Sequence, residues 1–315
     1  MQPTGAGVPG GGRVKALVQG LAERIWEVIG KERGTVAGRY VGGTALGGDA
    51  EFPIDVLAER ATWEFLQDSG QSVAAYTESD GLRVLGTHPS HVLVVDPIDG
   101  TRGAAADLEM ATVSIAAARF TEQPTIGDIE FGILKEIKTG HWMYADAGTC
   151  GIESSGYPGP IPQLGSGVDL ERMFWSLEFN GHPAHLMLDA YGHLIDASAN
   201  RGGVYVFNSA SFSISRIITG QMDAYVDIGN RLLRDHPETE ADFRRVGHGA
   251  ILHLFPYDIA ASVFLAERAG VTITDGYGES LHDTLLLEIG PTNQRSCVAA
   301  GNSQLHAALL SAIRW

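Results

Sequence analysis

Residues 92–103 read VLVVDPIDGTRG, and no other stretch restricts the rest of the chain as tightly. Val92, Leu93, Val94 and Val95 make a short apolar, β-branched run, the pattern of a buried strand. Asp96 and Asp99 stand at its end with Pro97 between them. Gly100 and Thr101 follow, and the small residues of 103–106 let a helix begin. Two carboxylates on a Pro-braced turn have a plain reading, a turn plus a helix cap. They also have a chemical one, in which both carboxylates converge on hard cations while the amides at the helix start face a phosphate. The whole string favours the chemical reading, because each residue of DPIDGT has a separate job in it.

A second segment carries one more acid in a suggestive setting. Tyr257-Asp258-Ile259-Ala260-Ala261-Ser262 puts an Asp before small residues on a helix, which runs on to Ala269-Gly270 and the strand residue Val271. In this order, the two segments resemble the paired signatures of the inositol monophosphatase superfamily, Mg²⁺-dependent and lithium-sensitive phosphatases that include the fructose-1,6-bisphosphatases. The resemblance runs from about residue 14 to the end and is closest to archaeal-type enzymes acting on both inositol phosphate and fructose bisphosphate. It implies a layered αβαβα sugar-phosphatase fold of α+β or α/β class. An antiparallel sheet is expected in the N-terminal half and a mixed sheet in the C-terminal half. It further implies a homodimer.

Composition narrows the function. The 315 residues, 44% hydrophobic, can bury a large core in two packed subdomains or one large α/β unit. The formal net charge of −16 disfavours binding to a nucleic-acid backbone. The same charge opposes a phosphate ester unless divalent cations invert the local field. Cys150 and Cys297 are the only cysteines, which excludes a Cys-rich zinc site and argues against a disulfide framework. No signal peptide and no membrane-length apolar run is seen, so a cytoplasmic enzyme is expected. The Gly- and Pro-rich residues 1–12 read as a disordered tail. Residues 13–156 and 157–315 read as two subdomains, with the Pro/Gly-rich stretch 157–167 as the boundary.

Helical spacing covers residues 14–29 and 52–68, with a Gly-rich loop at 42–50 between them. Strands are expected at 72–75, 111–119, 126–133 and 140–145. A helix from Asn208 through Ile218, a strand ending at Asp227, a helix from Asp258, strands at 271–274 and 297–300 and a helix at 305–313 complete the pattern. The resemblance assigns roles to particular residues. Glu78, Asp96, Asp99, Asp258 and the carbonyl of Ile98 hold two or three Mg²⁺ ions, with Mn²⁺ as the alternative. Asp55 and Thr101 act on the attacking water, beside Glu78. Gly100, Thr101 and Ser209 meet the phosphate and substrate, and Asp227 holds a hydroxyl; Arg102, which replaces the residue expected after the signature, is a further substrate-binding candidate. Asp49 and Glu51, in the loop, are further metal candidates. The expected substrate is a small phosphate ester of a sugar or cyclitol. The alternatives are a specialised sugar- or nucleotide-phosphate phosphatase, for which no adenine pocket is visible, and a phosphate-binding regulator without turnover.

Other features read more plainly. His182, His185 and His193 lack the i, i+4 spacing of a helical zinc motif and read as scattered surface or hydrogen-bonding residues. Between Gly229 and Phe255 the chain takes a longer route than the family pattern. Its Arg231, Arg234, Arg244 and Arg245 read either as contacts to a second phosphate or as solvated helix-face charges.

Overall fold

A computed structural model describes residues 11–33 and 37–314. Helix α1 (Gly11–Ile29) is followed by a small hairpin, β1 (Gly43–Thr44) with β2 (Ala50–Glu51), and by α2 (Pro53–Asp68). The expected tail at 1–12 lies outside the described residues except for 11 and 12, which open α1. Then come β3 (Val73–Thr77), β4 (Gly81–Leu85), β5 (His91–Asp99), the short α3 (Thr101–Ala105), β6 (Thr112–Arg119), β7 (Ile129–Glu136), β8 (Trp142–Asp146) and β9 (Glu153–Ser155). These strands form a seven-stranded sheet in the order β4-β3-β5-β6-β7-β8-β9. Every neighbouring pair is antiparallel except β3 with β5.

The second half contributes β10 (Phe174–Leu177), α4 (Ala184–Ser198), β11 (Gly203–Tyr205), α5 (Ala210–Ile218), β12 (Ala224–Asp227), α6 (Gly229–Asp235) and α7 (Glu240–Val246). It ends with α8 (Pro256–Ala269), β13 (Thr272–Thr274), β14 (Cys297–Ala300) and α9 (Ser303–Ala312). Its sheet runs β11-β10-β12-β14-β13 and is mixed, with β10 parallel to both of its neighbours.

The layers follow from which faces are apolar. Leu93 and Val95 of β5 point to one face of the first sheet and pack with Leu17, Leu21 and Ile25 of α1 and Ala58 and Leu66 of α2. Val92 and Val94 point the other way, against Ile214 and Ile217 of α5 and Ile259 and Val263 of α8. Both faces are covered, which is why the run shows no apolar–polar alternation. Tyr225 and Ala299 of the second sheet close the same central layer. On the far side, Trp175, Val226 and Val298 pack with Met187, Tyr191 and Leu194 of α4 and with Leu305 and Leu309 of α9. The order is helices, sheet, helices, sheet, helices, the αβαβα sandwich expected.

Several elements depart from the sequence reading. The strand carrying DPID continues to Asp99 instead of ending at a turn. Helix α4 was not anticipated, although Met187, Ala190, Tyr191 and Leu194 give it a buried helical stripe. Strands β4 and β9 lie at the sheet's edges and are largely exposed, so they lack the apolar signal of a core strand.

Helix α8 comes close to the first sheet. A Cβ built on Gly132 of β7 would stand 2.9 Å from Cδ1 of Phe264. Gly132→Val should therefore overpack this contact, at a cost of about 1–3 kcal/mol. A lower Tm by several degrees in a thermal melt is the expected result. An unchanged Tm would show that α8 has room to move off the sheet.

Candidate active site

The acids gather because strand ends and helix starts meet at one edge. β3 and β5 are parallel with Thr77 opposite Val95, so Glu78 and Asp96 leave the sheet side by side. Asp96 pairs with Ser114 and Asp99 with Thr112, so β5 takes three steps where β6 takes two. This β-bulge falls at Pro97 and Ile98, where proline has no N–H to give the ladder. Residues three apart on a regular strand face opposite ways; one extra residue returns Asp99 to the side of Asp96. The Ile98 amide donates to Oδ1 of Asp96 at 3.0 Å. Gly100 then turns the chain with φ +93°, and a Cβ there would meet the Met110 carbonyl oxygen at 2.4 Å.

Two helices deliver carboxylates in the same way. Phe52-Pro53-Ile54-Asp55 opens α2 and Phe255-Pro256-Tyr257-Asp258 opens α8. In each, the Phe amide donates to the Asp three residues on, at 2.8 Å to Asp55 Oδ2 and 2.7 Å to Asp258 Oδ2. Proline in the first turn and an acid at the third position both suit a helix start. Thr101 lies between these groups. Its hydroxyl is 2.8 Å from Asp55 Oδ1 and 3.0 Å from the Ile98 carbonyl oxygen, and donates its one proton to either. Ser209 caps α5 and donates to Asp99 Oδ2 at 2.9 Å, where the Ser211 amide also donates. Asp227 ends β12 and accepts from the Gly229 amide at 3.2 Å.

Glu78, Asp99, Asp227, Asp258 and Ser209 line one cavity of about 70 Å³. Asp96, Asp55 and Thr101 are not among its lining residues. Burial, then the charges of Glu78, Asp99 and Asp258, hold the Asp96 carboxyl well above the carboxylate range. Glu78 and Asp258 are raised in the same way, first by burial and then by neighbouring acids. Asp55 is pushed up to about 7, chiefly by burial against its hydrogen bonds. Asp99 reaches about 6, because Ser209 and the α5 amides offset part of its burial. Among the described residues no ion pair joins Glu78, Asp96, Asp99 or Asp258 to a lysine, arginine or histidine.

The donor set suits a hard cation in kind. Asp96, Asp99 and Asp258 each have one oxygen held by backbone or serine donors and the other without a hydrogen bond among the described residues, as orienting contacts leave a ligand. No sulfur or imidazole belongs to this set of acids, and oxygen ligands favour Mg²⁺ or Mn²⁺. Among the described residues, no three His, Cys, Asp or Glu side chains are close enough as they stand to hold one ion.

Other residues fall where the sequence did not place them. Arg102 donates to Asp49 Oδ1 at 3.0 Å and lines a second, larger cavity instead of the acid one. Asp49 also accepts from the Asn180 side chain at 3.1 Å, so the hairpin is tied down on both sides. Asn208 adopts φ +53°, the left-handed region that Asn tolerates best after Gly. The arginines of 229–255 do not reach the acid cavity. Arg244 and Arg245 pair with Glu240 and Asp242 of their own helix, and Arg231 donates to the Gly276 carbonyl. Of the three grouped histidines, His185 is exposed and His193 half-buried, but His182 is buried in the cavity wall. Its Nε2 lies 3.3 Å from Nδ1 of His253 and 3.8 Å from Asp227. Burial lowers the pKa of both rings. Glu178, raised to about 7 by burial and then Asp227, completes this wall. No spacing rule finds this group, because His253 arrives from the long insertion.

Raised carboxyl pKa values have a measurable consequence for the metal-free chain. A carboxyl with a higher pKa folded than unfolded stabilises the fold below its unfolded value and loses that contribution as pH rises through the folded one. For Asp55, Asp99, Asp227 and Glu178 the window runs from about 4 to about 7. The metal-free protein should therefore melt several degrees lower at pH 8 than at pH 5.5, and a higher Tm at pH 8 would contradict the buried, unpaired state of these acids.

Comparison with known proteins gives this site its context. A profile described as the inositol monophosphatase family matches residues 14–315. A fructose-1,6-bisphosphatase/inositol-1-monophosphatase of Methanothermobacter thermautotrophicus is 23% identical over 308 residues, 95% of this chain and 96% of that protein. A bifunctional NADP phosphatase/NAD kinase of Methanocaldococcus jannaschii is 24% identical over 83% of this chain and 44% of its own length. The crystal structure of the extragenic suppressor protein suhB from Bartonella henselae superposes with a TM-score of 0.68 at 18% identity, covering 95% of this chain and 98% of that one. With a whole-chain profile match, two spaced signatures and a shared fold, the chain belongs to the inositol monophosphatase family of phosphoric monoester hydrolases.

Proposed function

We propose that this chain is a metal-dependent phosphatase acting on a phosphate monoester of a small sugar or cyclitol, of the inositol monophosphate or fructose 1,6-bisphosphate type. The family is generally metal-dependent, and its substrates are small phosphate esters. The observation that carries the reading is the group of Glu78, Asp96, Asp99 and Asp258, all raised by burial and three of them further by neighbouring acids, with Thr101 and Asp55 beside them. Together with the Ile98 carbonyl, these four acids would hold two or three Mg²⁺ ions. Bound there, divalent cations would supply positive charge against the phosphoryl oxygens and lower the pKa of the attacking water.

The protein's own residues do the rest. Thr101 gives its proton to Asp55, which leaves a hydroxyl lone pair to accept from the water and fix its direction. The amides at Gly100 and Thr101 take phosphoryl oxygens, Ser209 keeps Asp99 in place, and Asp227 accepts from a hydroxyl of the leaving group. Arg102 acts through Asp49 on the hairpin. Lithium sensitivity, a homodimer and a cytoplasmic enzyme go with this reading. Among the described residues no helix is long and apolar enough to cross a membrane. A division into 13–156 and 157–315 is supported by the sheets, one built entirely before residue 157 and the other entirely after 167.

A panel of phosphate esters assayed with and without Mg²⁺ tests the reading. Asp96→Asn removes a charge from the centre of the cluster and should reduce turnover by about 10²-fold or more; near wild-type kcat would remove Asp96 from the metal site.

Thr101 and Asp55 should behave as one unit. Thr101→Ala, Asp55→Asn and the double variant should each lose on the order of 10²-fold in kcat with little change in KM. If the two single losses multiply in the double variant, the residues act independently and the proton relay is wrong.

A further inference from the structure

Helix α2 carries a second buried acid that none of the roles above uses. Glu59 follows Asp55 by four residues, so the two stand on one face of the helix. Each meets the hydroxyl of a threonine. Asp55 lies 2.8 Å from the Thr101 hydroxyl. Glu59 Oε1 accepts from the Thr77 hydroxyl and, at 3.0 Å, from Trp63 Nε1. Thr77 ends β3, immediately before Glu78. Its hydroxyl oxygen also accepts from the Asp80 amide at 3.3 Å. The turn that holds Glu78 is thus fastened before and after that residue, through one hydroxyl, to Glu59.

Those contacts use one oxygen of the carboxylate. Glu59 is 6% exposed, and its other oxygen, Oε2, is buried with no hydrogen-bond partner among the described residues. Among the same residues it joins no ion pair. Arg83, whose charge reaches Glu59, is engaged elsewhere: it pairs with Asp80 at 2.5 Å and its guanidinium lies 4.6 Å from the Trp63 ring centre. A glutamine at this position would hold Thr77 and Trp63 through its carbonyl oxygen and bury no charge. Glutamate instead adds an oxygen with nothing to bind and a charge that works against Glu78. An unpaired carboxylate out of water costs several kcal/mol. Holding the helix to the strand gains nothing from that charge. A cation held at Glu78 does gain, because attraction between charges is little screened in a buried place.

We infer that Glu59 is a positioning residue of the metal centre: it fixes the direction of Glu78 through Thr77, and its unmatched charge raises the affinity for the cation that Glu78 holds. The inference rests on the metal-dependent reading above and adds to it an acid that neither signature segment contains. Three variants separate its parts. Glu59→Gln keeps the acceptor for Thr77 and Trp63 and removes the charge. Thr77→Val keeps the charge and cuts the link to Glu78. Glu64→Gln removes one charge from the exposed side of the same helix.

Binding of Mn²⁺ to the metal-free full-length chain, followed by the electron paramagnetic resonance of the free ion, tests this without any substrate. In Glu59→Gln the Kd should rise about tenfold or more, the usual size of a change behind a metal ligand. Thr77→Val should raise it by about threefold or more, and Glu64→Gln should stay within about twofold of the wild type. Wild-type affinity in Glu59→Gln overturns the inference and leaves Glu59 a structural acceptor. An equal loss in Glu64→Gln overturns it too, tracing the effect to net charge. Wild-type affinity in Thr77→Val overturns the positioning of Glu78. Losses of affinity that track losses of metal-free Tm across the three variants overturn the inference in favour of a folding role. If the wild type itself holds no Mn²⁺, the metal-dependent reading falls and the inference with it; metal binding without a Glu59 effect leaves that reading standing.

Discussion

One extra residue in one strand determines the chemistry of this molecule. Without the bulge at Pro97 and Ile98, Asp96 and Asp99 would project to opposite faces of the first sheet, one of them into an apolar layer. With it, both stand on the side where α5 and α8 begin. The bulge is held locally, since the Ile98 amide donates to Asp96 and the Ile98 carbonyl lies within reach of the Thr101 hydroxyl. The same residues that bend the strand thus also orient the first acid and the hydroxyl beside it.

Gathering acids in this way opposes folding. Bringing several carboxylates out of water costs several kcal/mol for each that stays ionised and unpaired. The structure meets the cost in two ways. Backbone amides at the starts of α2, α5 and α8 donate to Asp55, Asp99 and Asp258, and such charge-assisted bonds are the stronger kind. The three apolar layers on and between the sheets hold the geometry regardless of what the acids prefer. The remaining charge is left for protons or cations to neutralise, so the site and the acidity of the chain are parts of one problem.

Much of this could be read from the residues, and the limits have physical causes. The DPIDGT string and the Asp258 helix were legible because each joins a strong local pattern to a charged residue that the pattern does not need. Strands β5, β6 and β14 were legible as short apolar runs, and helix α5 and strand β12 through the family resemblance. The bulge was not, because a strand that gains one residue looks in sequence like a strand that stops at a proline. The shared Phe-Pro-x-Asp start of α2 and α8 was present in the letters, but its meaning depends on a backbone amide that the letters do not show. His182 and His253 were out of reach, since only the folded insertion brings them together. The contact of Arg102 with Asp49 was out of reach for a similar reason: Asp49 sits on a hairpin whose position no local rule gives.

The position of α8 has a consequence for how the molecule assembles. This helix lies between the two sheets and touches both, and it carries Asp258, which faces Asp99 and Asp49 from the first third of the chain as well as Asp227. Contacts between such distant parts of a sequence form late, because a long loop must close before they are rewarded. The first sheet, built from near neighbours apart from its one parallel pair, has no such delay. Glu78, Asp96 and Asp99 are placed by the first sheet, and Asp227 and Asp258 join them only when the halves dock, so the full set of acids is completed late in folding. In a refolding chain, the full cation affinity proposed for these acids would mark completion of the native state, where the gain of helical or sheet signal does not.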